Sequence, residues 1–354
     1  MKRRNMTNIE RAAVALLGTS LTLSGCLADS SIPAETDGAP ASTGADTPDT
    51  QTTGDPTDGS ADAGADESGS EGGGMEEPID PNAPDELLFQ EALALYDAAD
   101  FPGAKALFNQ LLADYPDSAR HDNAGYLVGR CDYQLDDFAT ADTEFLAMLD
   151  AHPDSTFVGS ALYFSGRCRF RQSDVAGALP QFTAAVDADP LGTYADNAFY
   201  YIGRVHFDQG NDAEALAQLV AFETEYPDSS YLDNAIYYRG RTEFSMGDKD
   251  LAITSFERVA DFADSIYLDN ARYYIGRSHY SLGSLDVAFG VFQSVIDDFP
   301  GATYEDNALF YQVRIRVDQV NCPAAATLLS RLETDYPGGT YTVQAADYSA
   351  ANGC

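Results

Sequence analysis

Tryptophan is absent from this chain of 354 residues, histidine occurs four times and cysteine five. Five cysteines cannot form the dense disulfide framework of a small stapled domain. The histidines, His121, His152, His206 and His279, are dispersed without metal-ligand spacing, so no metal is expected. Neither a nucleophile elbow nor a glycine-rich phosphate loop is present, and acid pairs such as Asp136-Asp137 and Asp297-Asp298 read as helix-end caps. The chain is therefore expected to be no enzyme and to need no cofactor. Positive charge is scarce as well. Lys+Arg number 20 against 57 Asp+Glu, for a formal net charge of −37. Such a deficit excludes general nucleic-acid binding, because a phosphate backbone needs a cationic footprint. Many Asp with few Lys also suits a salt-adapted source or the recruitment of basic partners, and the sequence alone does not separate the two.

Four of the basic residues crowd the start. Lys2, Arg3, Arg4 and Arg11 precede an apolar run from Ala12 to Leu23, too short for a permanent membrane helix. It closes in Leu23-Ser24-Gly25-Cys26, which resembles the lipobox of bacterial lipoproteins. The resemblance implies a signal peptide over residues 1–25 and acylation of Cys26 by chains such as palmitate. With Leu27 and not Asp next, it also implies sorting to the outer membrane; the periplasmic face is expected, with the surface-exposed face left open. Without that leader 16 basic residues face 56 acidic ones, since Glu10 is lost too. Residues 26–84 carry the lipidated Cys and a linker with no aromatic and no basic residue. Its like charges repel and it has too little apolar surface to offset chain entropy, so it is expected to be a disordered acidic tether reaching roughly 40–45 Å.

From residue 85 the sequence repeats. Asp-Asn-Ala begins at Asp122, Asp196, Asp233, Asp269 and Asp306, with Gly159-Ser160-Ala161 filling the gap, at steps of 37, 37, 37, 36 and 37. Gly-Arg follows at a fixed offset, as in Gly203-Arg204 and Gly240-Arg241, and a pair such as Tyr226-Pro227 closes each unit. Each unit reads as two helices. Asp233 and Asn234 can cap the first, Gly247-Asp248 turns the chain, and Leu251, Ala252, Phe256 and Val259 keep helical spacing in the second. Gly240 and its equivalents are expected to face the alanines of the Ala252 series where the two helices cross, with Phe256 and its counterparts filling the space beside them. Residues 85–354 are thus expected to form seven helix-turn-helix repeats plus a C-terminal capping helix from Thr340; these units resemble tetratricopeptide repeats, which implies an all-α, right-handed superhelical solenoid.

The run from Tyr226 to Arg241 resembles the repeats of tetratricopeptide lipoproteins of the outer-membrane assembly (BamD-like) and Tol-Pal coordinator (YbgF-like) family. The resemblance implies a lipid-anchored envelope scaffold that binds proteins or extended peptides, in outer-membrane protein assembly or Tol-Pal-linked envelope maintenance. The long tether, the number of repeats and the acidity depart from that pattern, so the class of function is carried over and the partner is not. Cell-wall glycan capture and a passive spacer remain alternatives, and the oligomeric state stays unknown.

Counting from the Asp of Asp-Asn-Ala as one, positions two, five, nine and twelve resemble the family's groove-facing set. Position five is Tyr126, Tyr163, Tyr200, Tyr237, Tyr273 and Phe310; position nine is Arg130, Arg167, Arg204, Arg241, Arg277 and Arg314. Together they are the candidate peptide groove, with rings for apolar or sugar surfaces and guanidinium for carboxylate. The alternative is structural: each Arg pairs with a position-one Asp and holds the stack in register. Cys322 and Cys354, at the ends of neighbouring antiparallel helices, are a possible disulfide, whereas Cys131 and Cys168 lie on parallel helices too far apart and are expected to be buried free thiols.

Overall fold

The computed structural model describes residues 80–354, all within one compact unit. The signal peptide, Cys26 and the linker up to residue 79 lie outside the described residues. Among the described residues there are fifteen helices and no strand. Seven are first helices of a pair: α1 (Pro84–Asp97), α3 (His121–Gln134), α5 (Val158–Arg171), α7 (Ala195–Asp208), α9 (Leu232–Met246), α11 (Leu268–Ser281) and α13 (Glu305–Asp318). Their partners are α2 (Phe101–Asp114), α4 (Phe138–Ala151), α6 (Val175–Ala188), α8 (Asp212–Glu225), α10 (Lys249–Val259), α12 (Leu285–Asp298) and α14 (Cys322–Asp335). Last comes α15 (Thr340–Ala351), which packs on α13 and α14.

The turn inside each pair is one local solution used seven times. Its middle residue has a positive φ in every unit: Ala99, Asp136, Ser173, Gly210, Gly247, Gly283 and Val320. Two residues later the backbone N–H groups at the start of the second helix need acceptors. Asp100, Asp137, Asp174 and Asn321 supply them, as N-caps of α2, α4, α6 and α14. The first helices begin differently from the sequence expectation. Asp233 and Asn234 lie inside α9, and the N-cap is Tyr231, with no side-chain capping bond. Phe157, Tyr194, Tyr267 and Tyr304 cap α5, α7, α11 and α13 in the same way. These rings are used for packing between repeats, and the Asp just inside the helix favours its positive end instead.

The close approach within a pair also differs in its partner. A Cβ on Gly240 would lie 2.8 Å from Cε1 of Phe256, and one on Gly129, Gly166 or Gly276 would strike Phe145, Phe182 or Phe292 at 2.7–2.8 Å. The glycine faces the side chain four residues after the alanine, an aromatic ring in these four units and Leu219 opposite Gly203 at 3.0 Å, not the alanine. Ala104, Ala141, Ala178, Ala215, Ala252 and Ala288 are fully buried at the other contacts of the second helices.

At the C-terminal end Cys322 and Cys354 are disulfide-bonded, with Cα atoms 4.9 Å apart. The bond fastens the end of α15 to the start of α14 and closes a loop of 32 residues, which contributes about 4 kcal/mol in the chain-entropy account. Cys131 and Cys168 are free and buried, and burial pushes both thiols up to about 12.

Candidate functional site: the arginine and aromatic stripe

The first helices place positions two, five and nine along one side, since residues three, four and seven apart share a face. The rings at position five are not a surface. Tyr126, Tyr163, Tyr200, Tyr237 and Tyr273 are at most 2% exposed, and Phe310 is 7% exposed. Each ring packs on an aromatic that leads into the following repeat: Tyr126 on Phe157, Tyr163 on Tyr194, Tyr200 on Tyr231, Tyr237 on Tyr267, Tyr273 on Tyr304 and Phe310 on Tyr341, with centroids 4.3–5.5 Å apart. Burial holds the hydroxyls of Tyr267 and Tyr273 protonated well above the ordinary tyrosine value.

The arginines at position nine join these rings. Nη1 of Arg130, Arg167 and Arg241 donates to the hydroxyl of Tyr126, Tyr163 and Tyr237 on the same helix, at 2.9, 2.7 and 3.0 Å. Each guanidinium then lies over a ring of the next repeat: Arg130 over Phe164 at 4.1 Å, Arg167 over Tyr201 at 4.6 Å, Arg204 over Tyr238 at 4.0 Å and Arg241 over Tyr274 at 4.5 Å. Arg277 lies 5.8 Å from the Tyr311 ring and Arg314 4.6 Å from that of Tyr348 on α15. Arg130 reaches one repeat further, to the Tyr194 hydroxyl at 3.1 Å. From the other direction, position-two Asn197, Asn270 and Asn307 donate to Tyr163, Tyr237 and Tyr273 of the preceding repeat, at 3.3–3.5 Å.

The stripe is thus a set of cross-repeat clamps. Rings this buried cannot stack on a sugar or a peptide without leaving the core, which corrects the groove expectation for the six aromatics and for Arg130 and Arg167, only 5% and 2% exposed. Arg204, Arg241, Arg277 and Arg314 are part-exposed, so only their edges can meet a ligand. At Asp85, Asp122 and Asp196 a serine stands in for the predicted Arg partner. The position-one Asp122 and Asp196 accept from Ser155 and Ser229 of the next repeat at 2.6 Å, and Asp85 accepts likewise from Ser118. Arg204 pairs with Asp208 on its own helix. The lead-in aromatics and the serines are the positions that the sequence reasoning passed over, although both recur with the period.

The other cations are also engaged. Lys105 pairs with Asp132, Arg120 with Glu86, Arg169 with Asp142, Arg171 with Asp136, Arg258 with Glu223, and Arg331 with Asp335. Arg239 bridges Glu223 and Glu243, Arg272 lies near Asp298, Arg316 covers the Phe289 ring, and Lys249 donates to the Phe244 carbonyl. With the cations so engaged, the charge left unpaired on the surface is carboxylate. The two histidines of the second repeat, dispersed in the sequence, meet in space: His121 Nδ1 and His152 Nε2 are 2.8 Å apart. Among the described residues no group of three or more metal-ligating side chains occurs, and no helix is long and apolar enough to cross a membrane.

A family model described as YfiO, outer membrane lipoprotein, matches residues 158–316, and one for the tetratricopeptide repeat matches residues 86–118. No curated protein matches the chain. Among solved structures, a tetratricopeptide repeat protein from Parabacteroides merdae shares 13% identity over 75% of this chain and 98% of its own, with a TM-score of 0.51. The C-terminal part of a repeat protein from Cytophaga hutchinsonii shares 17% over 73% of this chain and 98% of its own, with a TM-score of 0.58. At such identities these likenesses show the fold, a right-handed superhelical solenoid of helix pairs. Residues 158–316 are thus similar to the outer membrane lipoproteins of that family model, and the chain has the fold of a tetratricopeptide-repeat protein.

Proposed function

We propose that this chain is an envelope scaffold, anchored in the outer membrane through lipid on Cys26, that holds protein partners along its repeats. The carrying observation is the match of residues 158–316 to outer membrane lipoproteins, on repeats whose arginines are consumed internally. A partner that approaches the stack meets carboxylates and the edges of Arg204, Arg241, Arg277 and Arg314 on the side of the first helices, so segments rich in Lys and Arg are favoured. Seven helix pairs offer a long surface for such segments, as solenoids generally do. Roles in outer-membrane protein assembly and in Tol-Pal-linked maintenance both fit this reading.

Crosslinking of intact envelopes followed by capture of the full chain tests it. Specific envelope proteins should be recovered, and a Cys26→Ser form should leave the membrane fraction. Retention on purified cell wall with no protein recovered would overturn the scaffold reading in favour of glycan capture. Recovery of nothing leaves a spacer. Arg204→Ala and Arg241→Ala report on the clamp edges: loss of partners with unchanged melting makes them ligand contacts, while loss of melting temperature alone makes them structural.

A further inference from the structure

The repeat step is 37 residues except from Asp233 to Asp269, where it is 36. There α10 has 11 residues, whereas α8 and α12 have 14 each. A cavity of about 450 Å³ opens beside it, between α10, α11 and α12, within the roughly 300–1,000 Å³ of pockets that take a small ligand or a large side chain. Two small residues leave the room. Ala260 stands where the other repeats carry Leu112, Leu149, Val186, Glu223, Ile296 and Glu333, and Gly290 stands where they carry Ala, Thr or Pro. A Cβ on Gly290 would meet nothing within 4 Å.

The cavity is separate from the clamps. On α11 its walls are Leu268, Ala271, Arg272 and Ile275, whereas Tyr273, Arg277 and Tyr280 lie on the opposite side of the same helix by the 3.6-residue turn. The floor is apolar, with Phe256, Ile275 and Val291. The polar wall is unequal. Arg272 is occupied, by Ser294 Oγ at 3.0 Å and Asp298 at 3.5 Å, but the carboxylate of Glu257, also on the lining, has no ion-pair partner among the described residues.

We infer that this cavity is a docking site for a protein partner, taking one bulky apolar side chain of an extended segment whose neighbouring Lys or Arg faces Glu257. The inference rests on the scaffold reading for the kind of partner and names where and by what chemistry one is held. Identical repeats would give identical surfaces, and here the period, the helix length and two side chains depart from the pattern at one place. Charge complementarity selects the occupant: an acidic segment would meet Glu257 and Asp298, with the nearby cation already engaged.

The test uses the full chain and three peptides with 4-fluorophenylalanine or its replacement at the centre, followed by fluorine or proton NMR. One carries lysines on both sides of the ring, one has Ala in place of the ring, and one has Glu in place of the lysines. The first should bind, and the other two should bind roughly tenfold more weakly or not at all. Gly290→Leu replaces a glycine within α12 by a better helix former, and Ala260→Leu installs the residue type found at the equivalent Leu112 and Leu149, so both should melt no lower than the parent and lose the first peptide by a similar factor. Equal binding by the parent and both filled forms, or by the Ala peptide, overturns the site. Envelope crosslinking with the filled forms separates the two proposals: partners still captured while the peptide fails sink this site and leave the scaffold standing.

Discussion

Arg167 shows what one residue does in this stack. Its side chain is 2% exposed, donates to Tyr163 Oη at 2.7 Å and lies over the Tyr201 ring at 4.6 Å. Removing it takes the shorter of two donors from the buried Tyr163 hydroxyl, leaving Asn197 at 3.3 Å, and loses a desolvated cation–π contact, and the two effects together cost roughly 2–3 kcal/mol. Arg167→Ala should lower the urea midpoint accordingly. Arg167→Lys should recover only part of that loss, because an ammonium cannot present a planar face to the ring and a second donor to the hydroxyl together. A midpoint within experimental error of the parent would show that the clamp contributes nothing to stability. The sequence displayed the periodic Arg and Tyr but not their depth. A periodic polar residue reads as a surface residue, and only the packed neighbour supplies the rings that make its burial tolerable.

At the scale of elements, the turn between paired helices imposes its backbone on whatever residue stands there. Gly210, Gly247 and Gly283 adopt positive φ without penalty, but Val320 holds φ 54° while 83% exposed, so it gains little packing in return. A branched Cβ is disfavoured there. Val320→Gly should therefore stabilise the α13–α14 pair by about 1 kcal/mol, visible as a rise in melting temperature. An unchanged or lower melting point would mean that the turn relaxes around Val320. Three glycines made the turns legible as turns; the shared conformation of all seven was not, since Ala99, Asp136 and Ser173 give no local sign of it. The start of the first helices was misplaced for a related reason. Asp-Asn looks like a cap by composition, while the observed cap, Tyr231 and its equivalents, is chosen by the ring cavity in the previous repeat.

Across the whole stack the aromatics form one connected core. Thirteen of the 21 tyrosines are buried, and burial raises Tyr267, Tyr273 and, to about 12, Tyr336. A raised folded value means that the stabilisation is complete below the ordinary tyrosine range near 10 and is lost as pH climbs past it, because the unfolded chain releases protons that the folded one keeps. Ultraviolet titration should then show a minority of tyrosines ionising near 10 and the remainder only together with loss of helical circular dichroism. Smooth titration of all of them with helicity intact would contradict the buried ladder. The high negative charge acts in the same direction, since self-repulsion weakens the compact state and salt screens it.

The sequence alone determined the period, the two-helix unit and the all-α class, because each depends on spacing along the chain: 3.6-residue periodicity, turn residues and a 37-residue register. It also identified the Arg and aromatic stripe as a feature. Whether that stripe faces a ligand or the next repeat was decided only by tertiary structure. The choice depends on how far one pair of helices is displaced over its neighbour, and that displacement carries Tyr201 over Arg167 and Ser155 onto Asp122. The same holds for the cavity beside α10: a missing residue and two small ones are visible in the sequence, but empty space exists only between packed helices.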